Sequence, residues 1–356
     1  MISPYIVAVD VTYKCTYRCL HCYNFSGDDY SGKRELSDEK LYSVIMDVGK
    51  LLPSSICFCG GEPLLRKEVL FKVSTELRKL SDRMSINMVT NGELLTEETA
   101  ESIILSGFSL IQVSIDGSNA VSHDWLRNHK GAFDSAVRAL KFLNQKRVEM
   151  NANNLFLAIS FAPNKRNSSE IIDTIDLCES LGVNYFRIQP LMLIGRAKHN
   201  LANNVMSSTE YRLFTQKIFE RMARNRAQSK MAIEWGDPID HLLADNHEKY
   251  PFLSINAFGE ILVSPYLPIT VGKILDVSID EYLKKGLFEK LWKNDLINYI
   301  RHKIVSPEKM DISEKVHLPE LMHGFVEFDF LKKTFEEQTA RQLDYIKSKR
   351  CKFETL

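Results

Sequence analysis

Three cysteines lie within eight residues, Cys15, Cys19 and Cys22, at x₃ and x₂ spacing in the segment Thr12-Tyr-Lys-Cys15-Thr-Tyr-Arg-Cys19-Leu-His-Cys22-Tyr23. Thiolates bind zinc and iron–sulfur cores, and three in one loop can converge on a single inorganic centre. Three is one short of a closed tetrahedral zinc site or a fully ligated cubane. An incomplete set leaves a position open to an exogenous ligand, which is how a metal centre does chemistry. Two other readings stand beside this one: zinc completed by a distant histidine, and three unrelated buried thiols. Buried thiols need no loop, and His21 adjoins Cys22, an awkward place from which to ligate the same ion.

The other cysteines are Cys57, Cys59, Cys178 and Cys351. Cys57 and Cys59 share one face of a candidate strand, and Cys178 lies on the apolar stripe of a candidate helix; all three read as packing residues. The N-terminus has no basic leader, and Asp10 interrupts the first apolar run, so no secretory signal is expected. A clustered, odd set of cysteines without an export signal points to metal or redox chemistry in the cytoplasm rather than to a disulfide frame.

Short apolar runs alternate with amphipathic stretches through the first half. Strands are expected at Ile6–Val11, Ser55–Cys59, Ser85–Val89, Leu110–Ile115, Leu155–Phe161 and Tyr185–Leu191. Several are apolar almost throughout, as parallel strands covered on both faces would be. Helices are expected at Asp38–Leu51, Lys67–Leu80, Glu97–Ser106, Ala132–Lys146 and Ser169–Leu181, with Gly107 and Gly182 as stops. Six strand–helix repeats imply right-handed crossovers and a parallel sheet, either a partial barrel or an open doubly wound sheet. Either form puts chemistry at the carboxyl ends of the strands, and the cysteine loop follows the first of them. After about residue 205 the rhythm changes. A helix at Thr209–Arg226, a possible strand at Met231–Trp235, a hairpin flanking Ala257–Glu260 and short helices suggest a smaller α+β extension.

The 356 residues carry 46 Lys+Arg and 46 Asp+Glu, so net charge is zero and nothing advertises nucleic-acid binding. No run of about 18 apolar residues exists to span a membrane. Hydrophobic residues at 44% rule out a disordered chain.

The C-x₃-C-x₂-C loop followed directly by an aromatic, after the first strand of an α/β repeat, resembles the radical S-adenosylmethionine (SAM) superfamily. The resemblance covers residues 6–200. It implies a partial (β/α)6 TIM-type barrel over 1–205, with residues 206–356 as the extension. It also implies one 4Fe–4S cluster on Cys15, Cys19 and Cys22, and SAM chelating the open iron. One-electron cleavage then yields a 5′-deoxyadenosyl radical that abstracts a substrate hydrogen. Cys59-Gly60-Gly61-Glu62-Pro63 resembles the element that contacts the methionine amino group, where glycines let backbone approach a ligand. Asn91 of Thr90-Asn91-Gly92, then Ser114 and Asp116, resemble the polar residues that follow at later strand ends. Arg127 of His123-Asp124-x-x-Arg127 resembles the arginine that reaches the methionine carboxylate, a bidentate task suited to a guanidinium. Ile188 or its backbone would flank the adenine, and Gln189 would face the substrate.

The extension resembles a SPASM module without its cluster cysteines. Tyr266 stands where one would be expected, and residues 179–350 contain none. The implied module is a cluster-less substrate lid. Such extensions are common in maturases of ribosomally made peptides, so a peptide substrate is the leading expectation. A small molecule such as a sugar, nucleoside or cofactor precursor is the alternative, and a non-enzymatic metal-binding protein the remaining one. A flavodoxin- or ferredoxin-like electron donor is implied. Cys351, among basic residues near the C-terminus, is a candidate hydrogen donor to a substrate radical, with a plain tail thiol as the alternative.

Overall fold

The computed structural model describes residues 2–28, 32–225, 231–236, 239–243, 249–304, 306, 318–319 and 324–350. Seven strands run parallel in sequence order: β1 (Ile6–Thr12), β2 (Ser55–Gly60), β3 (Ser85–Thr90), β4 (Leu110–Ser114), β5 (Phe156–Phe161), β6 (Tyr185–Ile188) and β7 (Ala232–Trp235). On the other side of β1, β8 (Phe252–Ile255) pairs parallel to it. β8, β9 (Glu260–Leu262) and β10 (Ile269–Lys273) form an antiparallel meander, and β11 (Val326–Glu327) closes that edge. Among the described residues the result is one eleven-strand sheet, a parallel-dominated partial TIM-type fold. Six strands were expected in the parallel run. The seventh comes from the stretch assigned to the extension, and the expected hairpin is β8–β9.

The strands are not covered equally on both faces, contrary to expectation. Val7, Val9, Val11, Ile56, Phe58, Ile86, Met88, Ile111, Val113, Ile159, Phe186 and Ile188 are buried in the main core. Alternating with them are Asp10, Cys57, Cys59, Asn87, Gln112, Ser114, Ser160 and Arg187. One face is therefore apolar and packed. The other, inner face is lined by small and polar groups, which leaves room for ligand.

The helices α1 (Asp38–Gly49), α2 (Lys67–Leu80), α3 (Glu97–Leu105), α4 (Ala120–Arg127), α5 (Ala132–Glu149) and α6 (Ile171–Ser180) connect the strands. Each buries one stripe: Leu41, Val44, Ile45 and Val48 on α1, and Val69, Leu70, Val73 and Leu77 on α2. Each such side chain contributes about 1.5–3 kcal/mol on burial. Ser37 and Thr96 cap α1 and α3, accepting from Lys40 N and Thr99 N. The helix α4 was not anticipated. Its Asn119 cap accepts from Val121 N at 2.9 Å, and Asn128 ends it at φ +50 after only eight residues, too short for periodicity to register. The chain continues through α7 (Arg196–Asn200) and α8 (Ser208–Asn225). No helix among the described residues is long and apolar enough to cross a membrane.

Candidate active site

A register shift between Asp10 and Thr12 at the end of β1 redirects the chain into the cysteine loop. Glu35 accepts from Thr12 Oγ1 at 2.8 Å and from Tyr13 N at 2.7 Å. Tyr13 is buried and donates its hydroxyl to Asp10 Oδ2 at 3.1 Å. The far side of the loop is held from a distant segment. Arg196 donates through its N–H to Cys22 O (2.9 Å), through Nε to Cys19 O (2.9 Å) and through Nη2 to Ser26 O (2.7 Å). Gly195 precedes it at φ +56, and a Cβ there would lie 2.2 Å from Tyr23 O.

Cys15, Cys19 and Cys22 are free thiols; Cys19 is buried and the others half-buried. Asn91 Nδ2 approaches Cys15 Sγ at 3.9 Å, and Arg127 Nη1 approaches Cys19 Sγ at 4.0 Å. Burial pushes the Cys15 thiol up to about 12 and raises Cys19 as well, against the pull of Arg127. Among the described residues no three His, Cys, Asp or Glu side chains are gathered for one metal ion. Cys15 and Cys22 pack against the small cluster of Tyr17, Cys19 and Ala132, and three soft donors on one loop suit an iron–sulfur core.

Gly60 and Gly61 were expected to let backbone approach a ligand. Their tightest approach is to the cysteine loop itself. A Cβ on Gly60 (φ +119) would lie 2.2 Å from Thr12 O, and one on Gly61 2.0 Å from Lys14 O. Gly61 N and Glu62 N donate to Thr12 O (2.7 Å) and Lys14 O (2.9 Å). Pro63 begins a 3₁₀ turn. Glu62, expected to accept from an ammonium, is fully buried and committed to its own chain. Its oxygens accept from Leu64 N (3.0 Å), Thr90 Oγ1 (2.7 Å) and Asn91 N (2.8 Å), while burial pushes its carboxyl up to about 7. Asn91 continues the chain of contacts, donating to Thr16 Oγ1 at 3.0 Å.

At the end of β4, Ser114 is buried and lies opposite Ser160. Asp116, two residues on, is wholly buried. It pairs with Arg127 (Oδ2 to Nη2, 2.5 Å) and accepts from Ala162 N at Oδ1 (2.7 Å). Its N–H donates to His123 Nδ1 at 3.0 Å. Burial alone would raise the Asp116 carboxyl, but Arg127 holds it below the usual range. Burial, with Arg127 nearby, pushes His123 down to about 4, so the imidazole is neutral and its Nδ1 can accept. Asp116 is thus paired with Arg127. The guanidinium is buried, and its Nε has no hydrogen-bond partner among the described residues.

Beneath the loop the inner face gathers groups that sequence reasoning had dispersed. Cys57 and Cys59 are half-buried with their sulfurs 3.4 Å apart, and Asp10 is opposite Cys59 in register. Burial pushes the Asp10 carboxyl up to about 7, against the Tyr13 hydrogen bond. Tyr23 meets Tyr266 edge-on at 5.2 Å, and Tyr266 bonds Gln189. Cys57 and Cys59 are therefore not core packing residues, whereas Cys178 on α6 is fully buried as expected. Period 2 showed that the two cysteines share a face but not that the face is open. Ile188, expected to flank the adenine with its side chain or backbone, has its side chain buried in the outer core with Phe186, and its carbonyl accepts from Gly236 N at 2.9 Å. Cys351 lies outside the described residues.

The radical SAM superfamily model matches residues 9–178. An Fe-coproporphyrin III synthase of Methanosarcina barkeri is 27% identical over 343 residues, 94% of this chain and 80% of that protein. An AdoMet-dependent heme synthase of Oleidesulfovibrio alaskensis is 30% identical over 309 residues, 79% of this chain and 74% of that protein. The solved structure of anSMEcpe with bound AdoMet and Cp18Cys peptide shares the fold, with a TM-score of 0.61 and 14% identity over 98% of this chain and 97% of that one. Enzymes of this kind use a 4Fe–4S cluster and SAM. With its thiol loop at the carboxyl end of β1 and relatives along most of its length, the chain belongs to the radical SAM superfamily.

Proposed function

We propose that this radical SAM enzyme holds its cluster on Cys15, Cys19 and Cys22 and modifies a ribosomally made peptide. The observation that carries the chemistry is the set of three free thiols on one loop at the mouth of a polar inner face. When bound, the reduced cluster supplies one electron to the SAM sulfonium, and the resulting 5′-deoxyadenosyl radical removes a substrate hydrogen.

The chain's own residues position and insulate. Gly60, Gly61, Glu62 and Pro63 brace the thiol loop from the β2 side, and Asn91 does so from β3. Arg127, oriented by Asp116, offers its free Nε–H toward the SAM carboxylate, and Ser114 lies on the same strand end. Tyr23 and Tyr266 close the mouth and keep water from the reacting centre. A low-potential one-electron carrier of the flavodoxin or ferredoxin class supplies the electron.

The peptide reading rests on the likeness of the extension to modules common in peptide maturases. It draws support from the end-to-end likeness of fold to an enzyme solved with a peptide. A second reading, a tetrapyrrole-type cofactor precursor, is favoured by two of the curated relatives that span most of the chain.

The test is anaerobic reconstitution with iron and sulfide, then dithionite and SAM, with 5′-deoxyadenosine as the readout. Loss of product in a Cys15/Cys19/Cys22→Ala triple variant supports the radical reading. Bound zinc with no cleavage would overturn it. Deuterium transfer into 5′-deoxyadenosine from labelled precursor peptides or from labelled tetrapyrroles then decides the substrate.

A further inference from the structure

The outer flank of the thiol loop carries an unbalanced charge that the chemistry above does not use. A cleft of about 880 Å³ opens where the loop, the start of α1 and the β8–β10 meander meet. Its lining includes three carboxylates, and each is already committed. Asp28 pairs with Arg18 (3.2 Å) and Arg196 (2.8 Å), Asp38 pairs with Arg66, and Glu35 accepts from Thr12 and Tyr13. One lysine is committed too: Lys33 bridges Glu260 and Glu327 at 2.8 Å each, tying the loop to β9 and β11. Four cations remain. Lys14, Arg34, Lys40 and Lys273 are exposed, line the cleft, and make no ion pair among the described residues. The protein as a whole is neutral, so this concentration of positive charge is local.

Its position gives it a use. Lys14 is the residue before Cys15, about 3.8 Å away along the backbone. The cleft is thus the side from which the cysteine loop is reached without crossing the barrel. Any reduction at that loop needs an electron from outside the chain.

We propose that this cleft is the docking surface for an acidic one-electron carrier protein, which delivers its electron through the Lys14–Cys15 edge of the loop. The proposal rests on the reading of Cys15, Cys19 and Cys22 as cluster ligands. Four exposed like charges around a concavity attract an acidic rim at long range, orient it and raise the on-rate, and salt weakens that attraction. One electron leaves the reduced carrier and enters the oxidised cluster, so the carrier departs oxidised by one electron and no bond is made or broken in the protein.

The experiment uses the reconstituted full-length protein and an acidic flavodoxin as probe. Three substitutions, Arg34→Glu, Lys40→Glu and Lys273→Glu, reverse the cleft without touching the segment from Cys15 to Cys22. Arg138→Glu, Lys141→Glu and Lys217→Glu, exposed on α5 and α8, make the same charge change elsewhere. Flavodoxin affinity is read by titration at low and high salt. 5′-Deoxyadenosine production is driven in parallel by reduced flavodoxin and by dithionite, which needs no docking. The expected result is about a tenfold or greater loss of affinity in the cleft variant at low salt, a shallower salt dependence, and a matching fall in flavodoxin-driven product. Dithionite-driven product should stay unchanged, and the control variant should resemble wild type. Equal binding by the cleft and control variants, or wild-type binding insensitive to salt, would overturn the proposal. The titration needs no turnover. If dithionite yields no product even in wild type, the radical reading falls while the binding arm still decides the surface.

Discussion

Asp116 and Arg127 form a buried ion pair, 2.5 Å from Oδ2 to Nη2, with the other terminal nitrogen of the guanidinium 4.0 Å from Cys19 Sγ. A carboxylate from the end of β4 thereby aims a cation from α4 at the thiol loop. Removing one member of such a pair leaves the other charge buried alone. Asp116→Ala should cost about 3–5 kcal/mol of stability by denaturant unfolding. Arg127→Lys should fold better than Arg127→Ala yet bind SAM more weakly than wild type, because an ammonium lacks the planar fork. An Asp116→Ala variant as stable as wild type would show that the pair is not what holds this end of the sheet.

Glu62 joins three donors from two loops. Glu62→Ala strands them all, and each buried orphan costs about 1–3 kcal/mol. Glu62→Gln keeps an acceptor oxygen and should recover most of the loss. Thermal melts would check the stability order. Iron retained after desalting would check whether the brace matters to the thiol loop, with Ala expected to hold less than Gln.

Asp10 makes stability depend on pH. Its carboxyl is raised from an ordinary 3.8 to about 7 by burial, so the folded state favours the protonated form. Its stabilising contribution is complete below about pH 4 and is lost progressively up to about pH 7, roughly 4 kcal/mol in all. Asp10→Asn cannot ionise. Unfolding free energies measured from pH 5 to 8 should fall more steeply in wild type than in the variant, and the variant should be the more stable protein at pH 8. Parallel profiles would refute the assignment.

The five described cysteines near the site should divide cleanly. Alanine at Cys15, Cys19 or Cys22 should abolish cluster incorporation, read as iron and sulfide per chain and as visible absorbance. Alanine at Cys57 and Cys59, whose sulfurs face each other at 3.4 Å on the inner face, should leave iron content intact. Iron loss in the latter pair would assign the cluster differently.

Gly195 tests the long-range support of the loop. A methyl group there would lie 2.2 Å from Tyr23 O and 2.6 Å from Cys22 O. Gly195→Ala should lower cluster occupancy although the residue lies 173 positions beyond Cys22 in the chain. Unchanged occupancy would mean that the loop tolerates the shift.

Much of the site was legible because it is local in sequence. The spacing of Cys15, Cys19 and Cys22, the run from Gly60 to Pro63, and the alternation of apolar runs with helical stripes each sit within a few residues. What misled was facing. Cys57 and Cys59 read as packing because alternation states which residues share a face, not which face is covered. Asp116 and Glu62 read as ligand groups, and the structure adds the neighbours that hold them, Arg127 and Ala162 for one and Leu64, Thr90 and Asn91 for the other, which no local pattern names. Ile188 or its backbone read as an adenine contact, and the burial of its side chain in the outer core is set by tertiary packing that no local pattern records.

The sequence by itself determined the chemistry on offer, three thiols in one loop after the first strand of an α/β repeat. It did so because ligand type and spacing are properties of the chain. Only the tertiary structure decided what supports those thiols. Arg196 arrives from beyond β6, Tyr266 from beyond β8, and β8 closes on β1. These contacts join residues more than a hundred positions apart. Each is set by strand pairing and core packing summed over the whole sheet, which no local pattern records.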